Sequence, residues 1–280
     1  MRIGTLTIVG VGLIGGSLGL AARRRGLAGR VIGVGRQSAT LDQARQLGAI
    51  DEASLDLADA VSRADVAVFC TPVSLIAEQV LAAAPGCAQG TLLTDAGSTK
   101  AAIVRALDGK LPPGVAFVGS HPLAGSEKRG PEHADADLFQ DRVAVVTPTP
   151  RGDRAAVERT VGFWQALGSR VKLMSPDEHD RALAVTSHLP HLLASALAAI
   201  LPPELRELTA TGFRDATRIA AGDPSLWTGI FMHNRAALID ALGLVQDQVI
   251  QFKTALMTGD QAAIDALLAR GKRSRDALGS

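Results

Sequence analysis

Two groups of residues in this chain have types and spacing that could do chemistry: glycines at 10, 12 and 15, and a set of six histidines. The run GVGLIG spaces its glycines as GxGxxG. In that pattern the first glycine permits a tight turn, the second admits a pyrophosphate to the backbone, and the third packs helix on strand. Gly10, Gly12, Leu13, Ile14 and Gly15 are therefore expected to seat a dinucleotide against a helix amino terminus, which favours anions. About twenty residues further on, NAD-preferring folds place an acid that holds the ribose hydroxyls. Here the chain has Gly35 and then Arg36. Without that carboxylate, and with Arg36, Gln37, Ser38 and Thr40 offering a cation and donors, a 2′-phosphate fits, so NADP is expected rather than NAD. Thr71 and Pro72 complete the expected cofactor set.

A nicotinamide cofactor implies hydride transfer, and hydride transfer needs a group to handle the substrate proton. The chain has no tyrosine, which excludes reductases built on a tyrosine and lysine pair. Cys70 and Cys87 have no histidine at metal-ligand spacing, so zinc is not expected and a reducing compartment fits. That leaves histidine or lysine. His133 and His179 lie in charged segments and read as surface residues; His233, late in a helical run, reads as a core or capping residue. His188 and His191 share a helix face but lack a third ligand, so no metal is expected there either. His121, in GSHPLAGSEKRG, follows a predicted strand at its carboxyl end, where ligands bind in open α/β sheets. It is the expected base, a role worth roughly two to four orders of magnitude in rate.

The elements that must position these residues follow from the hydrophobic pattern. Strands are predicted at 6–9, 31–34, 66–69, 91–94, 116–118, 143–146 and 171–174, separated by helical segments such as 17–24, 39–47, 75–84 and 155–167. This βα rhythm implies a Rossmann-type, doubly wound, mainly parallel sheet covered on both faces. From Ser175 the strand signal stops, giving expected domains of 1–174 for the dinucleotide and 175–280 for an all-α substrate-binding and dimerisation part. Ser175 and Pro176 open a helix in cap and first-turn order, and Pro190 predicts a kink in it. Helices are predicted at 235–257 and 261–270, and an apolar stripe of Leu238, Leu242, Val245, Val249, Phe252 and Leu256 predicts a homodimer.

Composition bounds the partners. With 280 residues, 47% hydrophobic and a formal charge of +1, the chain can bury a large core and carries no net field that would draw nucleic acid, so a small-molecule partner is expected. The stretch from Ile3 to Ala22 has no charged residue and could be taken for a membrane span or signal segment. Gly4, Gly10, Gly12, Gly15, Gly16 and Gly19 interrupt it, so it reads instead as strand, turn and buried helix in a cytoplasmic protein.

Five ordered motifs carry a further reading: GVGLIGGSL, TDAGSTK, GSHPLAGSEKRG, TSHLPH and GFRDATRIAAGDPSLW. Through them the sequence resembles the prephenate and arogenate dehydrogenases, the cyclohexadienyl dehydrogenase family, over most of its length. The resemblance implies oxidative decarboxylation of arogenate, prephenate or both: hydride leaves the carbon bearing the hydroxyl, carbon dioxide leaves the opposite ring position, and the ring becomes aromatic. It implies that His121 accepts the hydroxyl's hydrogen bond, with Ser98 as a partner near the nicotinamide. Arg218 would pair with a substrate carboxylate, His191 would be a second substrate-side histidine, and Glu127 and Asp215 would order the pocket mouth; Trp227 would pack beside the site. Two domains would then build one site. A plain intrahelical ion pair between Asp215 and Arg218 is the competing account of those two residues. The sequence departs from the family at Gly35, where NAD-using members carry an acid, and before Phe213, where only Gly212 remains of a glycine-rich run. Competing functions are a β-hydroxyacid or imine-type NADP-dependent enzyme, disfavoured by the lack of lysine between Lys172 and Lys253, and a non-enzymatic NADP-binding regulatory module.

Overall fold

Aliphatic runs buried on both faces make the strands, as expected where helices cover both sides of a sheet. The computed structural model describes residues 2–126 and 128–279. Its first half runs β1 (Ile3–Val9), α1 (Leu13–Arg24), β2 (Ala28–Val34), α2 (Ser38–Gln46), β3 (Glu52–Ser54), α3 (Leu57–Ser62), β4 (Val66–Phe69), α4 (Val73–Ala83), β5 (Leu92–Asp95), α5 (Ala101–Leu107), β6 (Ala116–Pro122), β7 (Val143–Thr147), α6 (Arg154–Ala166) and β8 (Arg170–Leu173). The eight strands lie in the order β3-β2-β1-β4-β5-β6-β7-β8. Because the chain leaves β1 to one side for β2 and returns on the other for β4, the switch point opens a crevice at the carboxyl ends of those strands. One apolar cluster, around Leu6, Ile8, Leu18, Phe139 and Trp164, fills one face. A second, around Ile32, Phe69, Ile76 and Leu93, fills the other.

The pairing is parallel from β3 through β6. Then β7 runs antiparallel to β6, and β8 parallel to β7. The mainly parallel sheet is therefore as expected, with a reversed edge that periodicity did not reveal. Strand β6 is also longer than its apolar run. Its pairing with β5 ends at Val118, but Gly119 to Pro122 continue the strand by pairing with β7, and His121 sits opposite Val145. His121 is thus inside the strand rather than just after it. Strand β3 was not predicted, since its sequence EAS has no apolar alternation. The uncharged stretch Ile3 to Ala22 resolves into β1, the glycine turn and α1.

The remaining helices are α7 (Pro176–Leu183), α8 (Leu189–Ala199), α9 (Thr211–Thr217), α10 (Pro224–His233), α11 (Arg235–Thr258) and α12 (Gln261–Asp276). Helix α7 opens with a capping box in which the Ser175 hydroxyl accepts the Glu178 amide and the Glu178 carboxylate accepts the Ser175 amide. Between α7 and α8 the chain widens into a π turn at Ala184–His188. Pro190 lacks an amide hydrogen and its ring would press on the carbonyl one turn back, so the ladder relaxes into a wider turn instead of the simple kink expected.

Two compact units result, residues 1–234 and 235–280. The second is the hairpin of α11 and α12, turned at Gly259 with φ of +66° and capped by the Asp260 carboxylate, which accepts the Ala263 amide at 3.0 Å. Leu244, Val249, Ile250, Leu256 and Met257 on α11 are exposed.

Candidate active site

The glycine turn has the shape a pyrophosphate needs. Gly10 adopts φ of +93°, and a side chain there would lie 3.0 Å from the Cys70 backbone. A side chain at Gly15 would run into the Gly10 carbonyl oxygen, so only glycine lets α1 pack this close to β1. At Gly12 a Cβ would meet nothing within 4 Å. Gly12 is also the N-cap of α1, with no side chain capping it and no acid in the first turn. The first-turn amides at Leu13 and Ile14 are thus left for an anion, and the cradle fits the phosphates of a dinucleotide. Thr71 adjoins Gly10, its methyl 3.0 Å from that glycine's missing side chain, while its hydroxyl donates to Gln79 at 2.5 Å. Pro72 is exposed at the start of α4. At the other side of the switch point, Gly35 follows β2, and Arg36, Gln37 and Ser38 are exposed beyond it. The Thr40 hydroxyl donates to the Gln37 side chain at 3.5 Å.

Three strand positions from β1, roughly 14 Å along the same sheet edge, lies His121 on β6. Its imidazole is half-buried and packs edge-on against His179, centroids 5.1 Å apart at 66°. Nδ1 of His121 is 2.9 Å from Nε2 of His179, and Nδ1 of His179 is 2.8 Å from a carboxylate oxygen of Asp180. That carboxylate also accepts the amides of Lys100 at 2.7 Å and Ala101 at 2.9 Å, closing the amino terminus of α5. His179 is therefore a fully buried member of the site and not the surface residue its charged neighbourhood suggested. Burial pushes His121 well below the ordinary imidazole range, reinforced by His179, Lys100 and His188. Burial also lowers His179, against the pull of Asp180. For Asp180 burial pushes upward, but the hydrogen bonds from His179 and the two amides win and hold the carboxyl low.

Beneath these rings, Lys100 and Asp95 form an ion pair with both side chains fully buried. Asp95 also accepts the amides of Gly97 at 2.9 Å and Ser120 at 3.0 Å. The Ser120 hydroxyl donates to the Asp95 carbonyl at 2.5 Å and accepts the Trp164 indole N–H at 2.9 Å. The backbone just before His121 is thus held from β5 and α6 together. An acid ending the apolar run LLTD was the available signal for Asp95; nothing in local sequence marked Lys100, His179 or Asp180 as neighbours.

The π turn and α8 add two more buried histidines. His188 accepts the Asn234 side-chain N–H at 3.0 Å through Nδ1, and the same amide group donates to the Asp180 carbonyl at 2.7 Å. Burial lowers His188 to about 4, with Asp180 and the Ser98 carbonyl pulling the other way. Ser98 is half-buried on the loop between β5 and α5, so that loop meets the π turn. His191 stacks on Trp227 at 3.6 Å and 12°, with Phe231 at its edge, which makes Trp227 the packing residue expected. Nε2 of His188 and Nδ1 of His191 are buried with no hydrogen-bond partner among the described residues, the state of groups that a bound molecule or water satisfies.

Arg218 begins a 3-10 turn after α9 and is exposed, as is Asp215 on α9. Among the described residues no ion pair joins the two, so the intrahelical pair is not formed. Arg129, on the loop after β6, instead pairs with Asp223, the N-cap of α10. Glu127 lies outside the described residues. No cluster of three or more metal-binding side chains occurs among the described residues.

Comparison with known proteins adds the following. The family description "Prephenate dehydrogenase, nucleotide-binding domain" matches residues 18–173. "Prephenate dehydrogenase, dimerization domain" matches 175–270. A cyclohexadienyl dehydrogenase of Zymomonas mobilis is 34% identical over 97% of this chain and 94% of its own. The crystal structure of prephenate dehydrogenase from A. aeolicus, in complex with hydroxyphenyl propionate and NAD+, superposes with a TM-score of 0.90 at 30% identity, covering 99% of both chains. Synechocystis arogenate dehydrogenase gives 0.82 at 30% identity, covering 98% of this chain and 99% of that one.

Proposed function

Because this chain belongs to the prephenate dehydrogenase family, and so is an oxidoreductase of the oxidative decarboxylation that leads to tyrosine, we propose that His121 is its proton acceptor and NADP its cofactor. What carries this reading is a half-buried imidazole on the sheet edge shared with the glycine turn, lowered enough to be neutral at pH 7 and free to accept a proton.

Gly10, Gly12 and the first amides of α1 hold the pyrophosphate, and the dinucleotide, when bound, supplies the nicotinamide that takes the hydride. Nε2 of His121 accepts the proton of the ring hydroxyl as the C–H bond on the same carbon breaks. As the bond to the departing carboxylate breaks and its electron pair enters the ring, His121 returns that proton to the new phenolic oxygen. Protons and electrons then balance: two electrons and one hydrogen leave as hydride, carbon dioxide departs, and no proton is lost to solvent. Arg218 holds a substrate carboxylate, the unpartnered nitrogens of His188 and His191 offer hydrogen bonds to the substrate side, and Ser98 lies beside His188. Asp215 and Glu127 would order the mouth.

The missing carboxylate at Gly35 and the exposed guanidinium of Arg36 support NADP. We take residues 1–174 as the dinucleotide part and 175–280 as the substrate and dimerisation part. The exposed apolar residues Val249, Ile250, Leu256 and Met257 of α11 support a homodimer, and two free thiols fit the cytoplasm. One steady-state comparison, arogenate and prephenate each with NADP and with NAD, tests the assignment. Arg36→Asp should lower the NADP to NAD efficiency ratio at least tenfold; an unchanged ratio would refute the NADP reading.

A further inference from the structure

We propose that His179 and Asp180 are positioning residues that hold His121 in the one tautomer able to accept a proton, with its lone pair on Nε2. The proposal rests on His121 being the proton acceptor and adds what sets its readiness. Asp180 is a carboxylate, so it can only accept, and it already takes two backbone amides. Nδ1 of His179 at 2.8 Å must therefore carry a hydrogen. A neutral His179 then has its lone pair on Nε2, 2.9 Å from Nδ1 of His121. Nδ1 of His121 must in turn donate, and the remaining lone pair falls on Nε2.

The same chain of contacts stabilises the imidazolium formed when the proton arrives. The charged and titratable groups facing His121 are His179, Lys100 and His188. The Lys100 charge is matched by Asp95 in the buried pair. His188 accepts from Asn234 and stays neutral. Asp180 has only amides and His179 as partners, so its negative charge is the one left to offset a cation on His121. Edge-on packing of the two rings fixes their geometry. An oriented imidazole backed by a buried carboxylate is worth up to about four orders of magnitude where it has been removed elsewhere.

The test uses the full chain, with histidine ring nitrogens labelled for NMR, and the variants His179→Leu, His179→Gln, Asp180→Asn and His121→Asn. In the wild type, His121 should show a protonated Nδ1 and a bare Nε2. His179→Leu should lose that preference and lower kcat 10²- to 10⁴-fold with KM and dinucleotide Kd within threefold of wild type. In His179→Gln an amide oxygen replaces the accepting nitrogen, so this variant should recover at least tenfold of the loss. Asp180→Asn should move the acid limb of kcat/KM to lower pH, because an imidazolium without its anion gives up the proton more readily. A wild-type His121 protonated on Nε2 overturns the proposal without any variant, as does His179→Leu with wild-type kcat. If His121→Asn itself keeps activity, the proton-acceptor reading fails; if His121→Asn is inactive and His179→Leu is normal, only the positioning role fails.

Discussion

Replacing Gly12 by alanine separates cofactor binding from folding at the glycine turn. Gly12 has φ of −93° and ψ of −150°, a conformation open to any L residue, and the added methyl meets nothing within 4 Å. Losing glycine at an N-cap for alanine costs about 0.5 to 1 kcal/mol. The stiffer unfolded chain returns about 0.4 to 1 kcal/mol, so the cofactor-free Tm should move by no more than about 2 °C. On the proposed placement of the dinucleotide, however, the methyl stands where the pyrophosphate would approach the backbone. Overpacking of that kind costs about 1–3 kcal/mol, which weakens dinucleotide Kd roughly 5- to 150-fold. Gly15→Ala should behave in the opposite way. Its methyl strikes the Gly10 carbonyl and lies 2.9 Å from a methyl of Ile8, and neither backbone can yield without opening the contact between α1 and β1. Its cofactor-free Tm should fall by several degrees, about 2–4 °C for each kcal/mol lost. Thermal melts without cofactor and fluorescence titration with NADPH and NADH measure both quantities. Gly12→Ala binding either dinucleotide with wild-type Kd would refute the placement of the pyrophosphate on this turn.

Two further outcomes follow from the site. His188 is lowered from an ordinary 6.5 to about 4, so between those values the unfolded chain takes up a proton that the folded chain refuses; stability present above pH 6.5 is lost as pH falls to 4, by up to about 3 kcal/mol. His188→Asn keeps an acceptor for Asn234 and removes the titration, so its Tm should fall less steeply over this range than that of the wild type; parallel profiles would refute the assignment. Arg218 is exposed and unpaired among the described residues, so Arg218→Ala should leave Tm and dinucleotide Kd unchanged. Loss of a charge-assisted pair worth about 1.5–3 kcal/mol should raise substrate KM roughly 10- to 150-fold; a wild-type KM would remove Arg218 from the substrate site.

Much of the scaffold was legible because it is encoded over short spans. Apolar runs at 6–9 and 66–69 are strands because both sheet faces are covered, and GVGLIG is a turn because Gly10 and Gly15 have no room for a side chain, while Gly12 leaves the turn open to a ligand. The capping box at Ser175 and Glu178 is likewise complete within four residues. The positions of His121, Arg36 and the glycine turn were legible for the same reason: each lies at the end of an element whose direction the pattern reveals. The full length of β6 is not legible in the sequence, because its last four residues are strand only through pairing with β7, which no local propensity records. Pro190 announced a disturbance of its helix, but whether the ladder kinks or widens depends on what the following turn packs against.

From sequence alone come the alternating elements, the glycine turn and a histidine near the carboxyl end of a strand, since each is set by neighbours a few residues away. Only the tertiary structure could join His121 to His179 across 58 positions, or the Asp180 carboxylate to the start of α5 across 80. A charged dipeptide reads as solvent-facing until a helix docks and buries it. Once buried, its polar atoms must find partners, and the partners available were the imidazole and amides that docking brought within 3 Å.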